Sequence, residues 1–515
     1  MELLKLFNKY IQLNEKLFKN NISNKDKEDE IVLVEFFDIK ATIISFSFFI
    51  SALTRDKNYR IIAYFPNFIS FKRKIKFFFN KYLNILSSIK LFNSFGVSNY
   101  IFPQKKITKQ LNQSYSEIMK KIHSKHDVLK IEIQGVHLGD LIYDTYLREN
   151  NLITINVKDK LFKNFIYKTL QLYYFWDNYF KNTKIKSMIT SHSVYLTALP
   201  LRIAMKYKID TFCVNYHSIF RLTVEKPLVW GNFDDYPNLF NDLSEKKKEI
   251  GMNLAKAQLQ NRFSGKKDKL YEQSTPLKEG TFVKQKIEKN ILKKNDNFKI
   301  LIAAHDFNDA PHVHGNLIFA DMYEWLEYLG QKSLIKKNYD WYIKLHPADY
   351  DENEKKIQTF LTKYQNFQLL PKNISHYQII DEKINCVLTV FGSIGHEYPF
   401  FKIPVINAGH NPHSGYNFNY NPSNQEEYNN LFENIESLIV DKDYENEIYQ
   451  FYLVRYFLDY NLFPEVKNSE DFNNVKTFQI FFSKFNDKHI LKIIDDYHNF
   501  IQSKMRRLIN TDQIY

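Results

Sequence analysis

The sequence predicts an α/β fold, with two Rossmann-like domains that face a cleft and a helical C-terminal tail. Three observations indicate this. Short apolar runs that stop at small or polar residues alternate with helix-compatible stretches in both halves, a pattern typical of parallel sheets covered by helices. A stretch rich in Lys, Glu and Gln separates the halves. The length of 515 residues, with 44% hydrophobic and 25% charged residues, suffices for two soluble globular domains.

Shifts in composition along the chain give the predicted domain boundaries. We expect a helical segment over residues 1–30, a first Rossmann-like domain over 31–245, a charged helical linker over 246–297, a second Rossmann-like domain over 298–425, and a helical tail over 426–515.

The first half opens with a βαβ pattern, which predicts a parallel sheet. Its predicted strands are 31–36, 60–65, 128–133, 187–190 and 211–214, and its predicted helices are 40–53 and 195–207. The second half repeats the alternation. Its predicted strands are 298–304, 340–345, 366–370, 386–390 and 404–407, and its predicted helices are 317–332, 351–364 and 394–402.

Two strand ends in the second half carry residues that suit a phosphate site. The first carries His346 and Pro347, and the second carries Gly392, Ser393, Ile394 and Gly395. We expect the Ser393 hydroxyl to cap the following helix, whose free N–H groups and positive dipole end favour an anion. His346 is expected to face the same site from a neighbouring strand. The alternative is that Gly-Ser-Ile-Gly is only a tight turn between strand and helix.

These motifs resemble those of bacterial capsule and lipopolysaccharide glycosyltransferases of the GT-B fold. The resemblance is nearest to enzymes that use CMP-activated ulosonic acids, such as Kdo transferases and sialyltransferases, which have a His-Pro motif and a serine motif. It implies that His346 and Ser393 bind the CMP phosphate, that Gly392 and Gly395 shape the loop, and that the helical tail packs back on the first domain. It also implies an acceptor-binding first domain, a nucleotide-sugar-binding second domain, and no metal or cofactor beyond the nucleotide-activated sugar, which is a substrate.

Other functions remain open from the residues alone. One alternative is a transferase that uses a UDP- or other NDP-sugar. A second is a CDP-polyol phosphotransferase of the teichoic-acid type, a class whose carboxy-terminal domains have comparable strand-end motifs. A non-catalytic nucleotide-binding assembly protein that kept only the fold is a third possibility. The partners we expect are a nucleotide-sugar donor and a glycan or lipid-linked glycan acceptor of the bacterial surface, and no nucleic acid.

Further substrate-binding candidates lie in polar loops after predicted strands. Glu397, one turn into the helix after Ser393, is placed to accept from a sugar or ribose hydroxyl, or else is a solvent-facing or capping carboxylate. Arg202 and Arg221 suit an acidic sugar or phosphate, with ordinary ion pairs as the alternative. The remaining candidates are His305, Asp309, His312, His314 and His413. His312 and His314 also suggest a metal site, but two histidines two residues apart in a loop are weak support for one.

The catalytic candidates are Asp140, His137 and Asp144, which follow a predicted strand in the first half. Glycosyl transfer needs a carboxylate or imidazole, either as a general base on the acceptor hydroxyl or as a nucleophile. Asp140 and Asp144 are four residues apart, which places both on one helix face, so one of them can be structural.

The net charge of +13 is consistent with an anionic partner, but no nucleic-acid-binding motif accompanies it. Residues 71–82 combine aromatic residues with five cations and no acid, which suits a helix lying on anionic lipid headgroups; the alternative is a half-buried surface helix with solvated lysines. The start of the chain lacks a signal-peptide pattern, and the longest apolar run is shorter than the ~20 residues that span a bilayer. We expect a cytoplasmic protein with peripheral contact at the inner face of the membrane. Cys213 and Cys386 are expected to be buried thiols.

Overall fold

The structure is a computed structural model, and it describes residues 2–18, 30–55, 59–82, 87–231, 233–267, 279–284, 287, 289–346, 350–463 and 475–509. The chain divides into two compact units. The first unit comprises the described residues of Met1–Ile142, Val157–Val229 and Asp459–Asn510. The second comprises those of Tyr143–Asn156 and Trp230–Leu458.

The first unit is built on a six-stranded sheet in the order β3-β2-β1-β6-β7-β8. All neighbouring pairs are parallel except β7 and β8. Strand order reverses direction between β1 and β6, and ligands of doubly wound sheets bind at the carboxyl edge of such a point. The strands are β1 Ile31–Glu35, β2 Arg60–Tyr64, β3 Val97–Ile101, β6 Ile185–Thr190, β7 Asp210–Val214 and β8 Ile219–Leu222, with a separate hairpin of β4 Glu132–Ile133 and β5 Val136–His137.

The second unit has a five-stranded sheet in the order β11-β10-β9-β12-β13, with every pair parallel. Its strand order reverses between β9 and β12. Its strands are β9 Phe298–Ala303, β10 Tyr339–Lys344, β11 Phe367–Leu369, β12 Cys386–Thr389 and β13 Val405–Asn407. Each unit therefore has a Rossmann-like strand order, which confirms the predicted α/β class.

Helices cover both sheets. In chain order they are α1 Glu2–Leu17, α2 Lys40–Leu53, α3 Phe71–Tyr82, α4 Ser88–Ser94, α5 Lys109–Lys121, α6 Lys125–Leu129, α7 Gly139–Asn150, α8 Lys160–Lys181, α9 Leu199–Lys206, α10 Tyr236–Asn241, α11 Glu245–Phe263, α12 Met322–Ile335, α13 Tyr350–Lys363, α14 His376–Asp381, α15 Ile394–Phe400, α16 Gln425–Glu433, α17 Glu445–Tyr456, α18 Val475–Lys484 and α19 Asp487–Gln502, with short 3₁₀ turns at Leu196–Ala198 and Ile435–Ser437.

The hydrophobic core of each unit explains why its helices lie where they do. Helix α2 is buried along almost its whole length, because it carries apolar residues on every side. Helix α19 packs on it, with the rings of Phe49 and Tyr497 5.7 Å apart, so the C-terminal helices belong to the core of the first unit. In the second unit α11 packs against α17, and a Cβ added at Gly251 would lie 2.6 Å from the Leu453 side chain.

One predicted element is wrong, and one predicted helix begins later than expected. Residues 128–133 do not form one strand, because a capping box between Ser124 and Asp127 starts α6, and the chain then enters a hairpin. Gln134 and Gly135 both have positive φ at its turn, as a two-residue hairpin requires. The helix predicted over 317–332 begins later, at Met322, because the Asp321 side chain caps it by accepting from the Glu324 N–H.

Candidate functional site

Three adjacent strands of the second unit end in side chains that meet at the carboxyl edge of the sheet. Strand β9 leads to His305, β10 to His346 and β12 to Phe391. The His305 ring stacks on His346, with centroids 5.4 Å apart, and lies 4.7 Å from the Phe391 ring. The expectation that His346 and Ser393 come from neighbouring strands is wrong, because β9 lies between β10 and β12. His305 therefore occupies the centre of this edge.

His305 has the properties of a neutral ligand-binding imidazole. Its Nδ1 atom is buried and has no hydrogen-bond partner among the described residues. Burial lowers the pKa of His305, and the negative charge of Asp309 opposes this shift. His305 lies beside the point where the strand order reverses, between β9 and β12. An anion that bound here would offset the cost of protonating the ring.

Ser393 follows β12 at the same edge, but its hydroxyl does not cap the next helix. The residue has α-helical φ and ψ, and it makes no side-chain capping hydrogen bond to α15, so the capping prediction is wrong. Ser393 is half-buried. The loop is instead held by the Gly392 N–H, which donates to Thr389 Oγ1 at 3.3 Å. A Cβ on Gly392 would lie 3.0 Å from that same oxygen, which explains the glycine.

Gly395 and His413 form a packing contact below this loop. A Cβ added to Gly395 would lie 2.5 Å from the His413 ring. His413 is buried, its Nε2 lies 3.2 Å from Nδ1 of His396, and its ring contacts Phe451. The structure thus places Gly395 against the His413 ring, and His413 itself lies inside the second unit.

Glu397 is sealed inside the second unit in an ion pair with Arg262. The Arg262 Nε and Nη2 groups donate to Glu397 Oε1 at 2.8 and 2.5 Å, and both side chains are at most 3% exposed. Arg262 Nη2 also donates to Thr281 Oγ1. The sequence suggested that the Glu397 carboxylate contacts a sugar or ribose hydroxyl. In the structure Arg262 binds that carboxylate instead.

The three histidines of the loop after β9 point in different directions. His312 is buried, and its ring Nδ1 lies 2.5 Å from Asp144 Oδ1. The backbone N–H of His312 donates to Asp144 Oδ2 at 3.1 Å. His314 Nδ1 lies 2.8 Å from the Trp230 carbonyl oxygen. The loop therefore brings both His305 and His314 against the Phe391 ring, each with centroids 4.7 Å from it, whereas His312 contacts Asp144. No group of three or more His, Cys, Asp or Glu side chains within the described part of the chain is placed to hold a metal ion.

Two further candidate site residues of the second unit are Asp309 and Pro347. Asp309 forms a half-exposed ion pair with Arg148, and such surface pairs contribute little to stability. Pro347 lies outside the described residues.

His137, Asp140 and Arg202 meet in the first unit, at the start of α7. Arg202 Nη2 donates to Asp140 Oδ2 at 2.7 Å, and its Nη1 donates to the His137 carbonyl oxygen at 3.4 Å. His137 Nε2 lies 3.5 Å from Asp140 Oδ1. Arg202 is buried and Asp140 nearly so, whereas His137 is half-exposed. Two catalytic candidates, His137 and Asp140, therefore lie beside the substrate-binding candidate Arg202. The guanidinium of Arg202 binds the Asp140 carboxylate.

Arg221 lies elsewhere in the first unit, at the end of α19. Its Nη2 donates to the carbonyl oxygens of Ile501 at 2.7 Å and Ser503 at 3.1 Å, and its guanidinium lies 4.8 Å from the Phe212 ring. Cations favour helix C-termini, so this contact fastens α19 to the sheet.

One residue at the carboxyl edge of the first sheet, Glu35, was not identified from the sequence. Glu35, the last residue of β1, is buried and accepts from Ser191 and Thr190 at the end of β6. Ser191 Oγ also lies 2.8 Å from Nδ1 of the exposed His192. One signal in the sequence is that Glu35 is the lone charge within the apolar run from Ile31 to Phe37, which indicates a buried carboxylate that needs partners.

No family model and no curated protein sequence matches this chain. Among similar solved structures is a UDP-GlcNAc 2-epimerase from Neisseria meningitidis bound to UDP-GlcNAc, with 10% identity over 90% of this chain and 100% of that chain and a TM-score of 0.23. A second is Thermosulfurimonas dismutans KpsC, a beta Kdo 2,4 transferase, with 10% identity over 53% and 79% of the two chains and a TM-score of 0.28. A third is the wall teichoic acid polymerase TagF, with 13% identity over 97% and 96% and a TM-score of 0.19. Because these TM-scores are below 0.5, the fold assignment rests on the sheet order described above.

Among the helices that the structure describes, none has the length and apolar character needed to cross a bilayer.

Proposed function

We propose that this protein is a glycosyltransferase of the GT-B type that moves a sugar from a nucleotide-activated donor onto a bacterial surface glycan. The observation that carries the proposal is that the His305 ring contacts the rings of His346 and Phe391 at the edge where the strand order of the second sheet reverses, directly before the Gly392-Ser393 turn. Imidazole and hydroxyl groups can donate hydrogen bonds to a phosphate. In a transferase this group would be the leaving phosphate of the donor.

A CMP-activated ulosonic acid is the donor we favour. Its support is the resemblance of the His346-Pro347 and Ser393 motifs to those of CMP-dependent transferases. Such a donor carries both a phosphate and a sugar carboxylate, and a site with two imidazoles and a hydroxyl offers donors to both. Strand spacing of about 4.8 Å puts the ends of β10 and β12 roughly 10 Å apart, which leaves room for two anionic groups rather than one.

Nucleotides that fit this site are expected to raise the melting temperature. At 100-fold excess over Kd, a ligand stabilises the folded state by about 2.7 kcal/mol, which corresponds to a shift of roughly 5 °C for a unit of this size. We therefore expect CMP to stabilise the protein in a thermal-shift panel of CMP, CDP, UDP and GDP. CDP alone would favour a polyol phosphotransferase, and UDP alone an NDP-sugar enzyme. No shift with any nucleotide would contradict the proposed function.

We further propose that α3 holds the protein at an anionic membrane surface, where a lipid-linked acceptor would lie. Phe71, Ile75, Phe78 and Phe79 are 77%, 51%, 42% and 60% exposed, while Phe77 on the same helix is buried against aromatic rings of the first unit. The same helix carries five cations and no acidic residue. Exposed rings beside lysines are typical of helices that lie in the headgroup region.

Replacing Phe71 and Phe79 by Asp is expected to reduce binding to vesicles that contain 30% phosphatidylserine by at least tenfold, because each ring contributes about 1.5–3 kcal/mol when buried. Vesicle flotation measures the bound fraction. The matched control is Leu161→Asp, which removes another exposed apolar side chain, 64% exposed, at the start of α8, where a carboxylate is tolerated. Equal binding by the wild type and the double variant would contradict the membrane proposal.

A further inference from the structure

Helix α15, which follows the proposed phosphate turn, lacks one of its own hydrogen bonds. In an α-helix each carbonyl oxygen accepts from the N–H four residues later, so Gly395 would accept from residue 399. That residue is Pro399, which has no N–H to donate. Instead, the side-chain Nδ2 of Asn419 donates to the Gly395 carbonyl oxygen at 3.1 Å. The first turn of α15 therefore depends on a side chain that lies 24 residues further along the chain.

A chain of three amide side chains fixes the direction in which Asn419 donates. It starts at the backbone N–H of His413, which can only donate, so Asn411 Oδ1 accepts from it at 2.9 Å. Asn411 Nδ2 then donates to Asn421 Oδ1 at 2.8 Å, and Asn421 Nδ2 donates to Asn419 Oδ1 at 2.8 Å. The Nδ2 group of Asn419 is thus left to face the Gly395 carbonyl oxygen, which can only accept. A backbone group at each end therefore orients every amide of this chain.

The loop that carries the amide chain is anchored to β13, the edge strand of the second sheet. The Asn407 N–H donates to the Tyr420 carbonyl oxygen at 3.0 Å, and the Tyr420 N–H donates to the Val405 carbonyl oxygen at 2.9 Å. Asn407 Nδ2 also donates to Asn421 Oδ1 at 2.9 Å. Asn407 is fully buried and Asn419 is 8% exposed, so water competes little with these hydrogen bonds. The amide chain therefore links the turn to the sheet.

Gly395 is the residue on which this loop closes. A Cβ added to it would lie 3.2 Å from Asn419 Nδ2 and 2.5 Å from the His413 ring, so only glycine allows both contacts. The Gly395 N–H in turn donates to the Gly392 carbonyl oxygen at 3.0 Å across the turn that carries Ser393. The position of Gly395 therefore determines the shape of that turn.

We propose that Asn419 is a positioning residue for nucleotide binding, which holds the Gly392-Ser393 turn in the shape that contacts the donor phosphate. This rests on the proposed function. Asn419 acts through the Gly395 carbonyl oxygen and not by touching the nucleotide. Without the amide, that buried oxygen loses its donor, and the turn rearranges to find another. The loss appears as weaker nucleotide binding.

Isothermal titration calorimetry with CMP tests this role. Asn419→Leu keeps the branched shape and removes the donor, so the Kd for CMP should rise by about tenfold or more. Pro399→Ala supplies the backbone N–H that α15 lacks, so Pro399→Ala/Asn419→Leu should bind CMP within about threefold of the wild type. The matched control is Asn366→Leu in the same unit, because Asn366 Nδ2 also donates to a backbone carbonyl oxygen, that of Ser333, at 3.1 Å. Its Kd should equal that of the wild type.

Hydrogen exchange without nucleotide separates this inference from the proposed function. Peptides that cover residues 392–397 should exchange about tenfold faster in Asn419→Leu and recover in the double variant, while peptides of β9 keep their rate. Asn419→Ser, whose shorter side chain cannot reach Gly395, replaces Asn419→Leu if that variant does not fold.

The two measurements together decide between the outcomes. Wild-type CMP affinity in the Asn419 variant would overturn the positioning role, whether or not exchange is faster. Weaker binding that Pro399→Ala does not rescue would overturn the role of the Gly395 hydrogen bond. Faster exchange with rescue, in a protein whose wild type binds no nucleotide, would refute only the proposed function and would confirm that the amide chain holds the turn.

Discussion

Glu397→Ala is expected to lower the free energy of unfolding of the second unit by about 3–5 kcal/mol, because it leaves the Arg262 guanidinium buried without its anion. Arg262 lies within 2.8 Å of Glu397 through two nitrogen atoms, and neither side chain reaches solvent. Urea unfolding followed by hydrogen exchange of second-unit peptides measures the loss. The double variant Arg262→Met/Glu397→Leu should recover most of it, since no buried charge remains.

The matched control is Glu433→Gln, which breaks exposed pairs with Lys332 and Lys336 in the same unit. We expect a loss below about 1 kcal/mol there, because exposed ion pairs are weak. A loss in Glu397→Ala as small as that of the control would contradict the buried placement of the pair. It would also reopen Glu397 as a residue free to contact substrate.

Acidification is expected to destabilise the second unit steeply below pH 6.5. Burial lowers the pKa of His314, His376, His396 and His413 well below the ordinary value of 6.5, and nearby cations or histidines add to the shift. Above pH 6.5 these histidines are neutral in both states, so they cost nothing. Below it the unfolded chain binds protons that the folded unit does not, and stability falls by up to about 1.4 kcal/mol per pH unit for each histidine.

Unfolding free energies measured between pH 7.5 and 5.0 test this expectation. The curve should be nearly flat above about pH 7 and should fall by several kcal/mol by pH 5 if all four histidines contribute. His376→Phe keeps a ring against Phe282, at a present centroid distance of 4.8 Å, and loses one titrating group. Its slope below pH 6.5 should be smaller than that of the wild type by up to about 1.4 kcal/mol per pH unit, the share of one histidine, whereas His123→Gln should match the wild type. A stability that is unchanged from pH 7 to pH 5 would contradict the burial of these rings.

The α/β class was predictable because buried parallel strands leave short apolar runs between turn residues. Helix α2 and the strands of the second sheet were located within one or two residues of their observed ends. The order of the strands was not predictable, because a chain entering β12 gives no local sign that it will pair with β9 rather than β10. That order decides the geometry of the candidate site, since it places His305, and not His346, against the Phe391 ring.

Long-range pairing limited the prediction of individual site residues. Glu397 and Arg262 are 135 positions apart and Asp144 and His312 are 168 apart, so neither contact leaves a local pattern in the sequence. His137 and Asp140 were found together because they share one turn of chain at the start of α7. Glu35 was missed because a lone carboxylate in an apolar run indicates burial, but the sequence does not show which distant hydroxyl groups would contact it.

The central claim is that the carboxyl edge between β9 and β12 binds the phosphate of a nucleotide-activated sugar. Diffraction from a crystal grown with the nucleotide that gives the largest thermal shift tests it most directly. We expect phosphate density within hydrogen-bond distance of a ring nitrogen of His305 or His346 and of the Ser393 hydroxyl. A nucleotide bound away from that edge, with these three side chains making no contact to it, would contradict the claim.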